Sequence, residues 1–158
     1  MSTPMQPYAI DLTAIHSRIG QELVVSPWVS ISQRKIDAFA EAIDDRQRIF
    51  VDPLRAAAES PFETTIAHGF LVLSLISSML SQSLEIRGMR MAINYGLDRV
   101  RFMAPVHAGA TIRTRFTVGD VQERPDHVRV TWKVVVERQH EDKPCCVADW
   151  VTRYYKQA

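Results

Sequence analysis

The chain has 158 residues, 46% of them hydrophobic and 23% charged, with a formal net charge of +1. That composition is globular and large enough to bury one real core, and a near-neutral charge with no basic run excludes an electrostatic footprint for nucleic acid. No N-terminal segment joins a basic region to an apolar one, and the longest apolar-rich window, residues 70–84, is too short and too serine-rich to span a membrane, so the expectation is a soluble, cytoplasmic protein.

Residues 1–10 hold two prolines and little pattern and read as a loose arm. Residues 11–19 place Leu12, Ile15 and Ile19 at helical spacing, with Asp11 as the cap. Residues 21–31 form an edge strand or extended segment interrupted by Pro27. Ser32 then caps a helix with Ile36, Phe39, Ala40 and Ile43 on one face and Arg34, Asp37 and Glu41 on the other; Asp44 and Asp45 close it. Pro53 opens a short helix that ends at Ser60-Pro61. The long helix after Gly69 carries a stripe of Val72, Ile76, Met79, Leu80 and Ser83. A second stripe of Ser74, Ser77, Ser78 and Ser81 is small enough to lie close to a neighbouring backbone.

After Gly88 the period drops to two. Residues 91–103 read as a strand with a bulge at Asp98, residues 111–118 as a second, residues 128–136 as a third and residues 145–155 as a fourth. Turns at 124–127 and 141–144 join the last three. Short turns between consecutive strands demand antiparallel pairing. The expectation is a single α+β domain over residues 1–158: helices first, then a meander of four long strands, with one strand from the N-terminal part. Cys145 and Cys146 are neighbours on a strand, so their side chains point to opposite faces; they read as reduced, buried or half-buried thiols rather than a redox pair or a metal site.

Chemistry concentrates in residues 39–70. The chain has no Gly-rich phosphate loop, no Gly-x-Ser-x-Gly, no His-Glu-x-x-His and no Cys-x-x-Cys. Gly69 lies in the first turn of the long helix, where backbone N–H groups lack internal partners and face the positive end of the dipole. That N–H could polarise a thioester carbonyl, or the glycine could simply permit close packing; both readings stand. Asp45 sits at a helix C-terminus, which disfavours a carboxylate. It is either a solvated turn residue or a general base. His68 is either a capping or core-bonded group or a second acid. His16, His107, His127 and His140 fall in turns or on polar faces and take no role.

These residues resemble a known family. Residues 42–53 (AIDDRQRIFVDP), Ser60-Pro61-Phe62, and Thr65-Ile66-Ala67-His68-Gly69-Phe70 are similar to the MaoC-like (R)-specific enoyl-CoA hydratases and dehydratases. So are Ala92-Ile93-Asn94-Tyr95-Gly96-Leu97, Arg99-Val100-Arg101-Phe102 and Ala104-Pro105-Val106, and the nodulation-protein-N-like branch fits best. The likeness covers residues 20–155. It implies a hot-dog fold, a long central helix wrapped by a curved antiparallel sheet, and an acyl-CoA or acyl-carrier-protein thioester as substrate. It implies no cofactor and no metal, and a homodimer or a heterodimer with an active paralogue.

In that family an Asp and a His five residues later hold the water that adds across the enoyl double bond, and a backbone N–H at the helix start binds the thioester oxygen. Carried over, the Asp is Asp45 and the oxyanion donor is Gly69, with His68 a further catalytic candidate. Phe50, Ala67, Phe70 and Arg101 are expected to contact substrate, Arg101 through a carrier phosphate. The His position holds Phe50, and Arg46 and Arg48 also depart from the family pattern. A phenyl ring moves no proton, and losing a positioned acid–base group typically costs about 10²–10⁴-fold in rate. Three activities follow: hydration or dehydration through Asp45, a thioesterase or isomerase in the same pocket, and a thioester-binding subunit that has lost catalysis.

Overall fold

The computed structural model describes residues 5–158. Strand β1 (Tyr8–Asp11) leads into a 3-10 helix at Leu12–Arg18, followed by β2 (Glu22–Val25) and β3 (Val29–Ser30). Four α-helices follow: α1 (Gln33–Ile43), α2 (Arg48–Val51), α3 (Pro53–Glu59) and α4 (Gly69–Ser83). The chain ends in β4 (Leu84–Arg87), β5 (Met89–Phe102), β6 (Thr111–Glu123), β7 (His127–Arg138) and β8 (Cys146–Lys156). The α+β expectation holds: α4 packs on an antiparallel sheet of order β2-β6-β7-β8-β5, with β3 also on β6.

The strand faces follow their alternation. Ile112, Thr114, Phe116 and Val118 of β6 and Val128, Val130, Trp132, Val134 and Val136 of β7 are all buried, against the buried stripe Val72, Ile76, Met79, Leu80 and Ser83 of α4. Trp132 satisfies its indole N–H inside this core, donating to Tyr154 Oη at 3.0 Å and Thr152 Oγ1 at 3.2 Å. Both cysteines are buried.

Several local expectations hold for the predicted reason. Ser32 Oγ accepts from Lys35 N at 3.1 Å and starts α1, and Asp44 ends it in the left-handed conformation at φ 57°. Pro53 stands at the first position of α3 as expected, and the Asp52 side chain, not foreseen in that role, caps it.

Others are corrected. Of the supposed loose arm, residues 1–4 lie outside the described residues, while Tyr8–Asp11 pairs in parallel with β4 and buries Ile10. The sequence shows neither strand clearly, because each has only four residues. Asp11 precedes the 3-10 helix, but its side chain caps nothing. The four long strands do not form a simple meander: β5 pairs with β8, not β6. The connector 103–110 carries the chain across the sheet, held by Ala67 N to Val106 O at 2.8 Å and Ala108 N to Thr65 O at 3.0 Å.

The serine stripe of α4 is also exposed rather than packed against a backbone. Three of its hydroxyls satisfy themselves on the helix's own carbonyls: Ser74 on Phe70, Ser78 on Leu75 and Ser81 on Ser78, at 2.6, 3.0 and 3.0 Å. Opposite it, β5 stands off from the helix and leaves two cavities of about 210 Å³ each, floored by Trp150.

Candidate active site

Two segments meet at the start of α4. The first is the turn between α1 and α2, which carries Asp45. The left-handed Asp44 reverses the chain, and Asp45 N donates to Ala40 O at 3.1 Å. The second is the approach to α4, where Ile66 N donates to Ile49 O at 3.0 Å and ties the α2 backbone to residue 66. His68 joins the two. Its Nε2 lies 2.9 Å from the Asp45 carbonyl oxygen, so that nitrogen carries the proton and donates. Its Nδ1 is buried and has no hydrogen-bond partner among the described residues. The His68 ring is 3% exposed, stacked on Phe50 at 3.8 Å and met edge-on by Phe39 at 5.2 Å.

The Asp45 carboxylate itself is half-buried and accepts from Gln47 Nε2 at 3.1 Å. Among the described residues its other oxygen has no protein hydrogen-bond donor. Arg46 pairs with Asp44 instead, at 2.8 Å on the surface.

Gly69 is the first residue of α4, so its N–H has no partner within the helix. A Cβ built there would meet three atoms of the Phe102 ring at 3.1 Å. The packing reading of this glycine therefore has a concrete partner, and the same absence of a side chain leaves the backbone open to a close ligand. A cleft of about 300 Å³ adjoins it, lined by Phe62, Ile66, Ala67, Gly69, Phe102 and Val106 among others. Cys145 also lines this cleft, but burial pushes its thiol up to about 12, so it stays protonated and is no nucleophile at neutral pH.

The structure brings Asp45, His68, Phe50, Ala67 and Gly69 into one neighbourhood. Phe70 is 67% exposed, and its ring meets that of Phe102 edge-on at 6.3 Å. Arg101 is exposed, folds back onto the Val100 carbonyl at 2.7 Å and does not line the cleft. Among the described residues, no three His, Cys, Asp or Glu side chains are grouped to hold a metal.

Sequence reasoning missed Gln33, Thr65 and Phe102. Gln33 donates to the Phe50 carbonyl at 2.7 Å and accepts from the Thr65 hydroxyl, bracing α1, α2 and the approach to α4. Its partners lie 17 and 32 residues away, so no local pattern announces it.

The chain is similar to several known proteins. Nodulation protein N of Rhizobium leguminosarum bv. viciae is 49% identical over 147 residues, covering 92% of this chain and 91% of its own. The 3-hydroxyacyl-thioester dehydratase Z of Mycobacterium tuberculosis is 43% identical over 136 residues, 85% of this chain and 89% of that one. Among solved structures, an R-hydratase from Pseudomonas aeruginosa superposes with a TM-score of 0.69 at 26% identity, covering 88% of this chain and 83% of its own. Residues 14–140 match the MaoC like domain. With its long helix on a curved antiparallel sheet, in the hot-dog arrangement of those neighbours, the chain belongs to the MaoC-like domain family.

Proposed function

We propose that the protein hydrates an enoyl thioester, or dehydrates the corresponding 3-hydroxyacyl thioester, carried by coenzyme A or an acyl-carrier protein. The observation that carries this is the 2.9 Å hydrogen bond from His68 to the Asp45 carbonyl. His68 immediately precedes Gly69, so the bond ties the backbone of Asp45 to the start of α4. This supports a reading in which the Asp45 carboxylate and the Gly69 N–H act on one substrate. The names of the thioester dehydratase and R-hydratase relatives support the substrate class.

In the hydration direction, the thioester oxygen accepts from Gly69 N–H, which stabilises the enolate as it forms. Asp45 takes a proton from water while the hydroxyl oxygen bonds to C3, and then returns a proton to C2. Buried and already engaged, His68 holds Asp45 in place, and its proton stays on Nε2. Phe50 shields that ring and fills the space where a second anchor for the water would stand. The acyl chain runs into the cavities between α4 and β5, whose lining includes Leu73, Ile76, Leu80 and Leu97. A second copy covers the exposed β5 edge.

The test is direct. Purified protein should consume crotonyl-CoA, followed by loss of enoyl-thioester absorbance, and Asp45→Asn should reduce the rate to background. An unchanged rate in Asp45→Asn would overturn the assignment. The stacked Phe50 favours one alternative, a thioester-binding subunit working with an active paralogue. That reading predicts no turnover by the isolated chain and recovery of a partner with an intact Asp and His. Release of free thiol without hydration would mark a thioesterase in the same pocket.

A further inference from the structure

The outer face of the sheet carries three basic clusters, and two of them have carboxylates. Glu137 accepts from Arg113 at 2.8 Å and from Arg115 at 2.5 Å, and Glu22 accepts from Arg115 at 2.9 Å. Asp149 lies 3.1 Å from Lys133 and 3.9 Å from Arg99. The third cluster is Arg129 and Arg153. They stand directly opposite each other on β7 and β8, an arrangement that like charges disfavour. Their neighbours in the same row are Gln122 on β6 and Ile93 on β5, neither of which carries a charge.

Both guanidinium groups turn onto one aromatic ring. Arg153 Cζ is 3.8 Å and Arg129 Cζ 4.8 Å from the Tyr95 centroid. Among the described residues neither has a carboxylate within ion-pair distance or a hydrogen-bond acceptor, and Arg153 Nε is buried with no partner. Of the nearby carboxylates, Asp126 meets His127 at 2.7 Å and feels the Arg153 charge only from beyond ion-pair distance, and Asp120 accepts from Gln122 at 3.0 Å. A buried donor left unsatisfied and two converging cations with no carboxylate within ion-pair distance leave a place for an anion between them.

We propose that Arg129 and Arg153, over the ring of Tyr95, form a binding site for a phosphate group. Two planar forks match a tetrahedral dianion, whose oxygens reach both guanidinium groups and whose charge balances both; a single carboxylate balances one. This site does not rest on the thioester reading, since it lies on the outer face of the sheet and is read by a separate assay.

Melting temperature should rise saturably with sodium phosphate in the native protein, and not with sodium chloride or acetate at matched ionic strength. Arg129→Gln and Arg153→Gln should each weaken the apparent affinity roughly tenfold or more, the value of a charge-assisted hydrogen bond. Circular dichroism checks that each variant is folded; Arg153→Lys, which keeps the charge and loses the fork, replaces Arg153→Gln if that chain does not fold. Competition by coenzyme A but not dephospho-coenzyme A would identify the carrier's 3′-phosphate as the occupant. Equal competition by both would assign the site to another phosphate group. No phosphate-specific shift, or an equal shift in the variants, overturns the proposal. So does dissociation of the variants to monomers in sedimentation, because the arginines would then answer carboxylates of a second copy.

Discussion

Phe50 lies stacked against His68 with ring centroids 3.8 Å apart, and its backbone carbonyl is held by Gln33. The substitution therefore changes the chemistry of the position without loosening it. Phe50→His places an imidazole in the same half-buried slot, and we expect hydration of crotonyl-CoA to rise about 10²-fold or more, the usual worth of a positioned acid–base group. Gly69 separates packing from catalysis. In Gly69→Ala the new methyl presses the Phe102 ring by a few tenths of an ångström; Phe102 is 48% exposed and can yield. The melting temperature should move little, because alanine's helix propensity offsets the contact. Activity should fall at least tenfold, because methyl and displaced ring both intrude on the approach to the N–H. Retained activity in this variant would leave Gly69 with packing alone. At this scale Asp45 and Gly69 drew attention as candidates because each breaks a local rule, a carboxylate at a helix C-terminus and a glycine at a helix start. Phe50 drew it only through the family resemblance, since Ile49 and Val51 flank it in an apolar run. Gln33 and Phe102 drew none, because their roles exist only once distant segments meet.

The elements with strong periodicity were legible, α1, α4, β6, β7 and β8 among them, since burial enforces the period. Strands β1 and β4 were hidden by their length, and the partner of β5 by the crossover at 103–110. Strand β5 also behaves unlike its neighbours. It is a long edge strand with Met91, Ile93, Tyr95 and Leu97 all 42–50% exposed, and no charge or proline blunts that row. Such an edge invites antiparallel pairing with a second copy, which would also cover the serine face of α4. Sedimentation should give a dimer for the native chain and a monomer for Ile93→Asp, which sets a charge on each side of the seam. A native monomer would show that the edge stays open.

For the molecule as a whole, the buried acids set a limit at high pH. Burial pushes Cys145 up to about 12 and Cys146 up to about 11 from an ordinary 9.0, with the neighbouring Cys146 adding to the shift at Cys145. Tyr154 is likewise raised by burial, to about 12 from 10.0. Each keeps its proton when folded and loses it when unfolded, so between about pH 9 and 12 the unfolded chain binds fewer protons and stability falls as pH rises. Below that window the contribution is fully present. Urea midpoints should be flat from about pH 7 to 9 and drop steeply above, and a thiol reagent should find both cysteines only after denaturation. A flat profile at high pH would mean that water reaches these groups.

The crossover that pairs β5 with β8 also governs the order of assembly during synthesis. Strands β6, β7 and β8 are joined by short turns and can form hairpins as they emerge, whereas Met89 must wait for Lys156 and Phe102 for Cys146. Strand β5 is made before its partner, so the nascent chain carries this apolar strand without its β8 ladder until residues 146–156 have left the ribosome.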